Sequence, residues 1–243
     1  MATRRAVQPP WLLSQWWLYF ALAFVLTFAG FWPSFFAALT SSQVPHLVHG
    51  FSATAWMLLP IGQAWLIKTR RRKVHRWTGY ASLALAVLVV VSGLYILQIF
   101  TLRNVEDFQV RRFKFVYLDL TGLFLFCVFL GLAIWAARKR DHALHLRLIA
   151  CTAFIPLEAA IERLLINSVP FLVPNFDAAL YAALIFLELT LIALIIGELI
   201  WKRLRWPFPL LLGYYLVMHA TVTPVANNEA FQSFAWAFAR IGH

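Results

Sequence analysis

Residues 178–200, AALYAALIFLELTLIALIIGELI, form a long apolar stretch whose only ionisable acids are Glu188 and Glu198. A helix rises about 1.5 Å per residue, so a stretch of this length crosses the roughly 30 Å hydrocarbon core of a bilayer. The whole chain has the same character, because 62% of its 243 residues are hydrophobic and only 13% are charged. A soluble domain needs a more polar surface. The sequence therefore predicts an integral membrane protein.

Further apolar stretches of similar length occur along the chain. The predicted spans are approximately 13–39, 44–67, 80–100, 115–136, 148–167, 178–200 and 210–226. We expect an all-α fold, a polytopic integral membrane helical bundle of about seven transmembrane helices. The loops are short, so residues 1–243 are predicted to form a single transmembrane domain. Near-helical spacing of aromatic residues in 227–243 favours a short helix lying on the membrane surface, the alternative being a loosely ordered tail.

The positive charge of the chain is distributed unevenly between the two sets of loops. The net charge is +11, and an N-terminus inside the cell places fifteen Lys and Arg residues on the inner side and five on the outer side. The positive-inside rule explains this asymmetry, so no nucleic-acid partner is expected. It predicts a cytoplasmic N-terminus and, with an odd number of spans, a periplasmic or extracellular C-terminus. The lipid bilayer is the expected partner.

Several sequence signatures of common enzymes are absent. The chain contains no GxxxxGK[ST] phosphate loop, no GxSxG, no HExxH and no CxxC. Its two cysteines, Cys127 and Cys151, both fall within predicted spans, where a thiol usually acts as a small apolar side chain. Nucleotide hydrolysis, serine hydrolase chemistry and zincin proteolysis are therefore unsupported.

Two histidines precede alternate spans on the predicted inner side. His75 lies just before the third span and His145 just before the fifth, so their side chains are expected at similar depth on neighbouring helices. Two imidazoles on different helices can ligate a b-type haem. Arg76 and Arg147 are candidates to bind the haem propionates, because guanidinium groups bind carboxylates in bidentate fashion. The alternative is that both histidines simply face lipid phosphates.

A second pair of histidines lies on the predicted outer side. His46 and His49 are three residues apart on one side of a helix, and such a pair can chelate a divalent metal ion. His219 is expected at comparable depth, and Glu158 or Glu162 could complete the ligand set. The alternative is that His46 marks a helix start after a proline and that His49 faces water, the commoner outcome for an isolated H-x-x-H.

A third set of candidate residues consists of ionisable side chains inside the predicted spans. Burying a charge in hydrocarbon costs at least several kcal/mol, so these side chains should face the interior of the bundle. The set is Asp119, Glu158, Glu162, Arg163, Glu188 and His219. A proton relay, a metal carboxylate site and a polar substrate pocket are the functional interpretations. The alternative is that protonated carboxyls hydrogen-bond between helices and hold them together.

A set of polar and small residues carries a resemblance to a known family. It comprises His46, Pro60, Gln63, His75-Arg76-Trp77, Gly79, Ser92-Gly93-Leu94, His145 and Arg163. In these positions the chain resembles the bacterial predicted membrane proteins grouped as domain-of-unknown-function family 2306, up to about residue 167. The resemblance implies a multi-pass protein of the bacterial inner (cytoplasmic) membrane. It implies no activity, because none is established for that family.

A looser similarity is to the cytochrome b561-like bundles, in which histidines of alternate spans ligate two haems. His75 and His145 fit one such pair, whereas the second pair lacks a histidine in the fourth span unless His219 takes that role. The leading hypothesis is a membrane electron-transfer protein or oxidoreductase with haem b and a quinone or another electron-transfer partner. The alternatives are a metal-dependent membrane enzyme and a proton-coupled carrier or non-catalytic accessory subunit.

Overall fold

The structure is a computed structural model that describes residues 15–103 and 109–242. Within these ranges the regular structure is entirely helical, which confirms the all-α prediction. The α-helices are α1 (Trp16–Phe31), α2 (Val44–Lys68), α3 (Arg72–Leu102), α4 (Gln109–Arg138), α5 (His142–Phe154), α6 (Leu157–Ser168), α7 (Phe176–Ile200), α8 (Pro207–Ala226) and α9 (Glu229–Ala239). Residues 13 and 14 of the first predicted span, and residue 243 of the tail, lie outside the described residues.

In residues 15–103 and 109–242, four helices are long and apolar enough to cross a membrane by length and composition, namely α3, α4, α7 and α8. Helix α1 is apolar, but its 16 residues are fewer than a full crossing needs. Helix α2 has 25 residues, and its two histidines, Gln63 and two prolines lower its hydropathy. The chain is thus shown as a helical membrane protein with several apolar helices. The count of seven spans stays a prediction.

Two of the predicted spans differ from single straight helices. The stretch 13–39 yields α1, which ends at Phe31, and then turns that include a short 3-10 helix at Phe36–Ala38. The stretch 148–167 is divided between α5 and α6, with Pro156 at the break. Proline has no backbone N–H and its ring clashes with the preceding turn, so it interrupts a helix at this point. Pro60, by contrast, lies inside the continuous helix α2.

The helices pack mainly with their neighbours along the chain, and a few longer-range contacts complete the bundle. The closest associations are α2 with α3, α4 with α5, α1 with both α6 and α2, and α7 with both α6 and α8. The main core lies among α4, α5, α7 and α8 and includes the fully buried Phe129, Leu148, Leu184 and Leu211. Two pairs, α3 with α5 and α4 with α6, make few or no close backbone approaches in the described residues.

The crossing of α1 and α6 is close because of a glycine. A Cβ atom added at Gly30 would overlap the backbone carbonyl oxygen of Ala160. Only the absence of a side chain allows the two backbones to approach this far, the usual reason for small residues at helix contacts in membranes. This contact fixes the position of α6 relative to α1.

The predicted tail helix is present as α9, and it packs on α3, α4 and α8. Gln98 of α3 donates hydrogen bonds from Nε2 to the carbonyl oxygens of Phe238 (3.0 Å) and Ile241 (3.2 Å). These carbonyls lie at the C-terminal end of α9, where a helix leaves acceptors without partners. The end of α9 is thus attached to the bundle, whereas Phe234 is 53% exposed.

Candidate functional site

Histidines occur close together at the end of the bundle that carries the α2–α3, α4–α5 and α7–α8 turns, which we call the basic end. His75 lies in the first turn of α3, and His142 and His145 lie in the first turn of α5. The three imidazoles are near enough for their charges to interact. We call the space between His75 of α3 and His145 of α5 the histidine gap. The structure thus brings together the two residues that the sequence suggested as haem ligands.

The ring of His145 is oriented by a backbone carbonyl group of α4. Its Nδ1 lies 2.9 Å from the carbonyl oxygen of Ala133. A carbonyl oxygen only accepts, so Nδ1 of His145 must carry the proton and donate it. In the neutral ring, Nε2 then holds a lone pair and can bind a metal ion. No hydrogen bond to this Nε2 is present among the described residues.

The ring of His75 is contacted by a glutamine of α2. In the orientation that satisfies both of its amide atoms, the Gln63 NH2 group donates to Nδ1 of His75, and its oxygen accepts from Oγ1 of Thr78 at 2.8 Å. The residues described include no hydrogen bond to Nε2 of His75. The two rings of the histidine gap therefore differ, because Nδ1 donates in His145 and accepts in His75. A neutral His75 carries its proton on Nε2 as long as the Gln63 amide keeps this orientation.

The two arginines suggested as propionate partners differ in their surroundings. Arg76 is exposed at the start of α3. Arg147 is 7% exposed, and its Nε lies 2.5 Å from Oε1 of Glu198 in α7. It also donates to the carbonyl oxygens of Ala143 (2.8 Å) and Arg203 (3.3 Å). Arg147 thus fastens α5 to α7 and to the turn after it, and Arg76 is the accessible cation.

The outer histidines bind polar groups of α3 and of the residue that follows it. Nδ1 of His49 lies 3.1 Å from Oγ of Ser92, which also donates to the carbonyl oxygen of Leu88. Nε2 of His46 accepts a hydrogen bond from Nη2 of Arg103 at 3.2 Å, so a neutral His46 carries its proton on Nδ1. This Nδ1 is buried and has no hydrogen-bond partner among the described residues. These contacts fasten α2 to α3 at the end opposite the basic end.

The third predicted metal ligand of the outer side binds elsewhere. Nδ1 of His219 lies 2.9 Å from Oε1 of Glu188, which is 8% exposed, so this contact joins α8 to α7. Across the described ranges there is no group of three or more histidine, cysteine, aspartate or glutamate side chains placed to hold a metal ion. The site of His46, His49 and one carboxylate is therefore not assembled in these residues.

Acidic residues and arginines fill the space between α4 and α6, which we call the acid gap. Glu162 is 1% exposed and lies between two cations, with Arg163 at 3.7 Å and Arg111 at 3.8 Å. The guanidinium of Arg163 lies 4.8 Å from the ring of Phe31, and that of Arg111 lies 4.2 Å from the ring of Phe176. Cations over aromatic faces are stabilised by the ring quadrupole. The two arginines are thus held in place at the entrance of the acid gap.

Two more carboxyl groups lie deeper in the acid gap. Glu158 is 9% exposed, and its charge interacts with those of Asp119, Glu162 and Arg163. Neither Glu158 nor Asp119 makes a hydrogen bond or an ion pair with any described residue. On the α8 side lies Tyr214, whose hydroxyl group is 3.1 Å from Oγ1 of Thr121. The structure therefore brings Glu158 and Glu162 together as their spacing predicted, and adds Asp119 from α4.

The comparison with known protein families matches the region in which both gaps lie. Residues 46–201 match the family described as "Predicted membrane protein (DUF2306)". The chain belongs to this family. No curated protein and no solved structure matches the chain. The family assignment confirms the resemblance drawn from the histidine, glutamine and glycine positions, and its description gives a membrane location and no activity.

The sequence analysis missed several residues that the structure places around these sites. Gln63 was part of the family resemblance, but its contact with His75 was not foreseen. Glu198 lies near the end of a span that is followed by three cations, which was a signal for an ion pair, and it is the partner of Arg147. Tyr214 and Thr121 gave no signal, because hydroxyl groups are common in apolar helices.

Proposed function

We propose that this protein is a membrane electron-transfer protein that holds a b-type haem between His75 and His145. The observation that carries the proposal is the state of the two imidazoles. Each lies at the start of its helix with Nδ1 in a polar contact and, within residues 15–103 and 109–242, with no hydrogen bond at Nε2, on two helices that make few or no close backbone approaches. Bis-histidine haem ligation needs a nitrogen of each ring directed to a common space between two helices.

The surrounding residues suit such a group. The Ala133 carbonyl oxygen accepts from Nδ1 of His145, which would hold this ring in one orientation and raise the basicity of its Nε2. A rotation of the Gln63 amide that turns its oxygen toward Nδ1 of His75 would do the same for the second ligand. Arg76 is exposed beside His75 and would bind a propionate, whereas Arg147 is occupied by Glu198. When bound, the haem supplies one-electron chemistry. A quinone or a redox protein is the proposed electron partner.

The test is haem content and the reduced-minus-oxidised absorbance spectrum of the purified protein. We expect a b-type spectrum for the wild type and its loss in His75→Ala and in His145→Ala. His142→Ala is the matched control, because His142 lies in the same turn of α5 as His145 but is exposed and has no part in the proposed ligand pair. A colourless wild-type protein that does not take up added haem would overturn the proposal. Equal loss of the b-type spectrum in His75→Ala, His145→Ala and His142→Ala would also overturn it.

We also propose the complete topology of seven spans, with the N-terminus in the cytoplasm, the C-terminus outside and the protein in a bacterial inner membrane. In this topology α1, α2 and the α5–α6 pair each cross the membrane together with the four helices that meet the length and apolarity criteria. Alkaline phosphatase fused after the last residue should be active, and the same enzyme fused after α2 should be inactive. The reverse pattern would overturn the topology.

A second candidate function is a proton-coupled carrier or an accessory subunit of a carrier. It is favoured by the contact between the buried Glu188 of α7 and the partly exposed His219 of α8, a carboxylate and an imidazole. Such pairs in membrane proteins are common components of proton pathways. Uptake of protons into proteoliposomes should fall in Glu188→Gln and His219→Gln. Uptake equal to that of protein-free vesicles would exclude the carrier.

A further inference from the structure

The acid gap has a charge imbalance that its own side chains do not remove. Among the described residues it contains three carboxyl groups, Asp119, Glu158 and Glu162, and two guanidinium groups, Arg111 and Arg163. With every group ionised, the gap would therefore carry one net negative charge. An uncompensated charge at this depth of a membrane protein is costly, and the group tends to neutralise instead.

The position of the arginines shows which carboxyl groups are uncompensated. Both arginines lie within 4 Å of Glu162, which is therefore ionised. Glu158 and Asp119 have no hydrogen bond or ion pair among the described residues. Glu158 is a polar side chain that is 91% buried. Arg111 of α4 and Glu162 of α6 approach to 3.8 Å, and Asp119 lies about two turns and Glu158 about one turn further into the bundle on the same two helices, so both lie beside the same space.

We propose that Asp119 and Glu158 form a proton-exchange site that holds one proton between them. One proton reduces the net charge of the acid gap to zero. Asp119 lies about 12 Å along α4 from Arg111 at a rise of about 1.5 Å per residue, so the proton is held well inside the helix bundle. The proton enters past Glu162 and the two arginines, whose side chains are 36% and 30% exposed. The proposal does not depend on a bound haem or on the pair of Glu188 and His219.

The other ionisable groups around this space do not change the charge balance. On α4, Lys114 is paired with Asp177 of α7 at 2.8 Å, so the two cancel. On α8, Tyr214 faces Glu158 and Asp119. Tyr215 faces Glu158, but the hydroxyl group of Tyr215 donates to the carbonyl oxygen of Phe154 at 3.1 Å. Both phenols are neutral at physiological pH. The remaining neighbour, Tyr117 of α4, binds Thr221 at 2.9 Å.

The test is infrared spectroscopy of the full chain in lipid vesicles. A protonated carboxyl group absorbs at a different frequency from an ionised one, and its band shifts in deuterated water. At neutral pH we expect one such band in the wild type. Asp119→Asn and Glu158→Gln each remove one negative charge and should abolish the band. Arg163→Gln removes one positive charge and should increase the band about twofold. Glu229→Gln is the matched control at an exposed glutamate of α9 and should leave the band unchanged.

A band that persists in both Asp119→Asn and Glu158→Gln would overturn the proposal, as would a wild type without a band. If the variants fail to fold, the wild type alone provides the second measurement. Dicyclohexylcarbodiimide adds to protonated carboxyl groups in apolar surroundings, and peptide mass analysis locates the adduct. We expect the adduct on Asp119 or Glu158 and not on Glu162. Labelling of Glu162 alone, or of none of the three, would contradict a proton held by this pair.

Discussion

The histidine gap and the acid gap occupy opposite halves of the bundle and differ in how their polar groups are held. In the histidine gap each imidazole has one nitrogen engaged, and the nearby Arg147 is fully paired with Glu198. In the acid gap Glu162 has two cations, whereas Glu158 and Asp119 have no hydrogen-bond or ion-pair partner in the part of the chain that the structure describes. Both gaps lie between helices that make few or no close backbone approaches. The ion-paired Arg147 and Glu162 hold helices together, whereas the two imidazoles, Glu158 and Asp119 are available for a ligand or a proton.

The largest effect should come from removing the charge that is paired near the histidine gap. Arg147→Ala leaves Glu198, whose side chain is 11% exposed, without its cation, and we expect a loss of about 3–5 kcal/mol in unfolding free energy. Arg205→Ala breaks the ion pair with Asp141, whose side chains are 47% and 34% exposed, and should cost less than about 1 kcal/mol. Unfolding in detergent measures both. Equal losses would show that Arg147 is not a structural clamp.

The next effect concerns the helix that carries Glu158 and Glu162. Gly30→Ala places a methyl group on the Ala160 carbonyl oxygen, so α1 and α6 must separate, at a cost of about 1–3 kcal/mol. Gly213→Ala is the matched control, because a Cβ at Gly213 meets nothing within 4 Å. We expect thermal unfolding in detergent to shift for the first variant alone. No shift for Gly30→Ala would mean that α6 can move without penalty.

A smaller effect is expected from the residue that orients His75. Gln63→Leu removes the amide whose oxygen, once turned toward His75, would accept from Nδ1 of the ligating ring, and loss of such a contact costs roughly 10–100-fold in ligand affinity. Haem titration of the apoprotein measures it. Gln98→Leu is the control, because Gln98 binds the end of α9 and should leave haem affinity unchanged. Unchanged affinity in Gln63→Leu would remove this residue from the proposed haem site.

The smallest effect should come from a hydroxyl contact beside the acid gap. Tyr117→Phe removes one hydrogen bond to Thr221, a bond of 2.9 Å between α4 and α8. Interhelical hydrogen bonds in membrane proteins contribute about 0.6 kcal/mol on average, so a loss near that value is expected. A double-mutant cycle with Thr221→Val isolates the contribution. A coupling energy of zero would show that the contact does not stabilise the protein.

The histidine gap was more accessible to prediction than the acid gap. His75 and His145 each lie at the start of an apolar stretch on the cation-rich side, and position along a span indicates depth in the membrane. Glu158 and Glu162 were predicted to share a face because they are four residues apart on a helix. Asp119 was recognised as an intramembrane acid, but its proximity to Glu158 follows from the placement of α4 against α6. No spacing within one helix contains that information.

The outer histidines show that a local pattern does not determine the neighbours of a side chain. The three-residue spacing of His46 and His49 places them on one helix face, which is correct as far as the helix is concerned. Their partners are Arg103 and Ser92, because α2 packs along α3. His219 has a carboxylate partner within reach across a different helix contact. The competition between neighbouring helices for each polar side chain is a tertiary property.

The sequence by itself determined the helical membrane architecture, the sorting of cations to one side and the set of polar residues that must face the interior. These follow from hydropathy and from the high cost of charge in hydrocarbon, which are properties of single segments. Only the tertiary structure decided which polar groups meet, which of them are paired and which are left open. Those outcomes depend on helix neighbours, on the break at Pro156 and on the close approach at Gly30, and therefore on contacts between residues far apart in the chain.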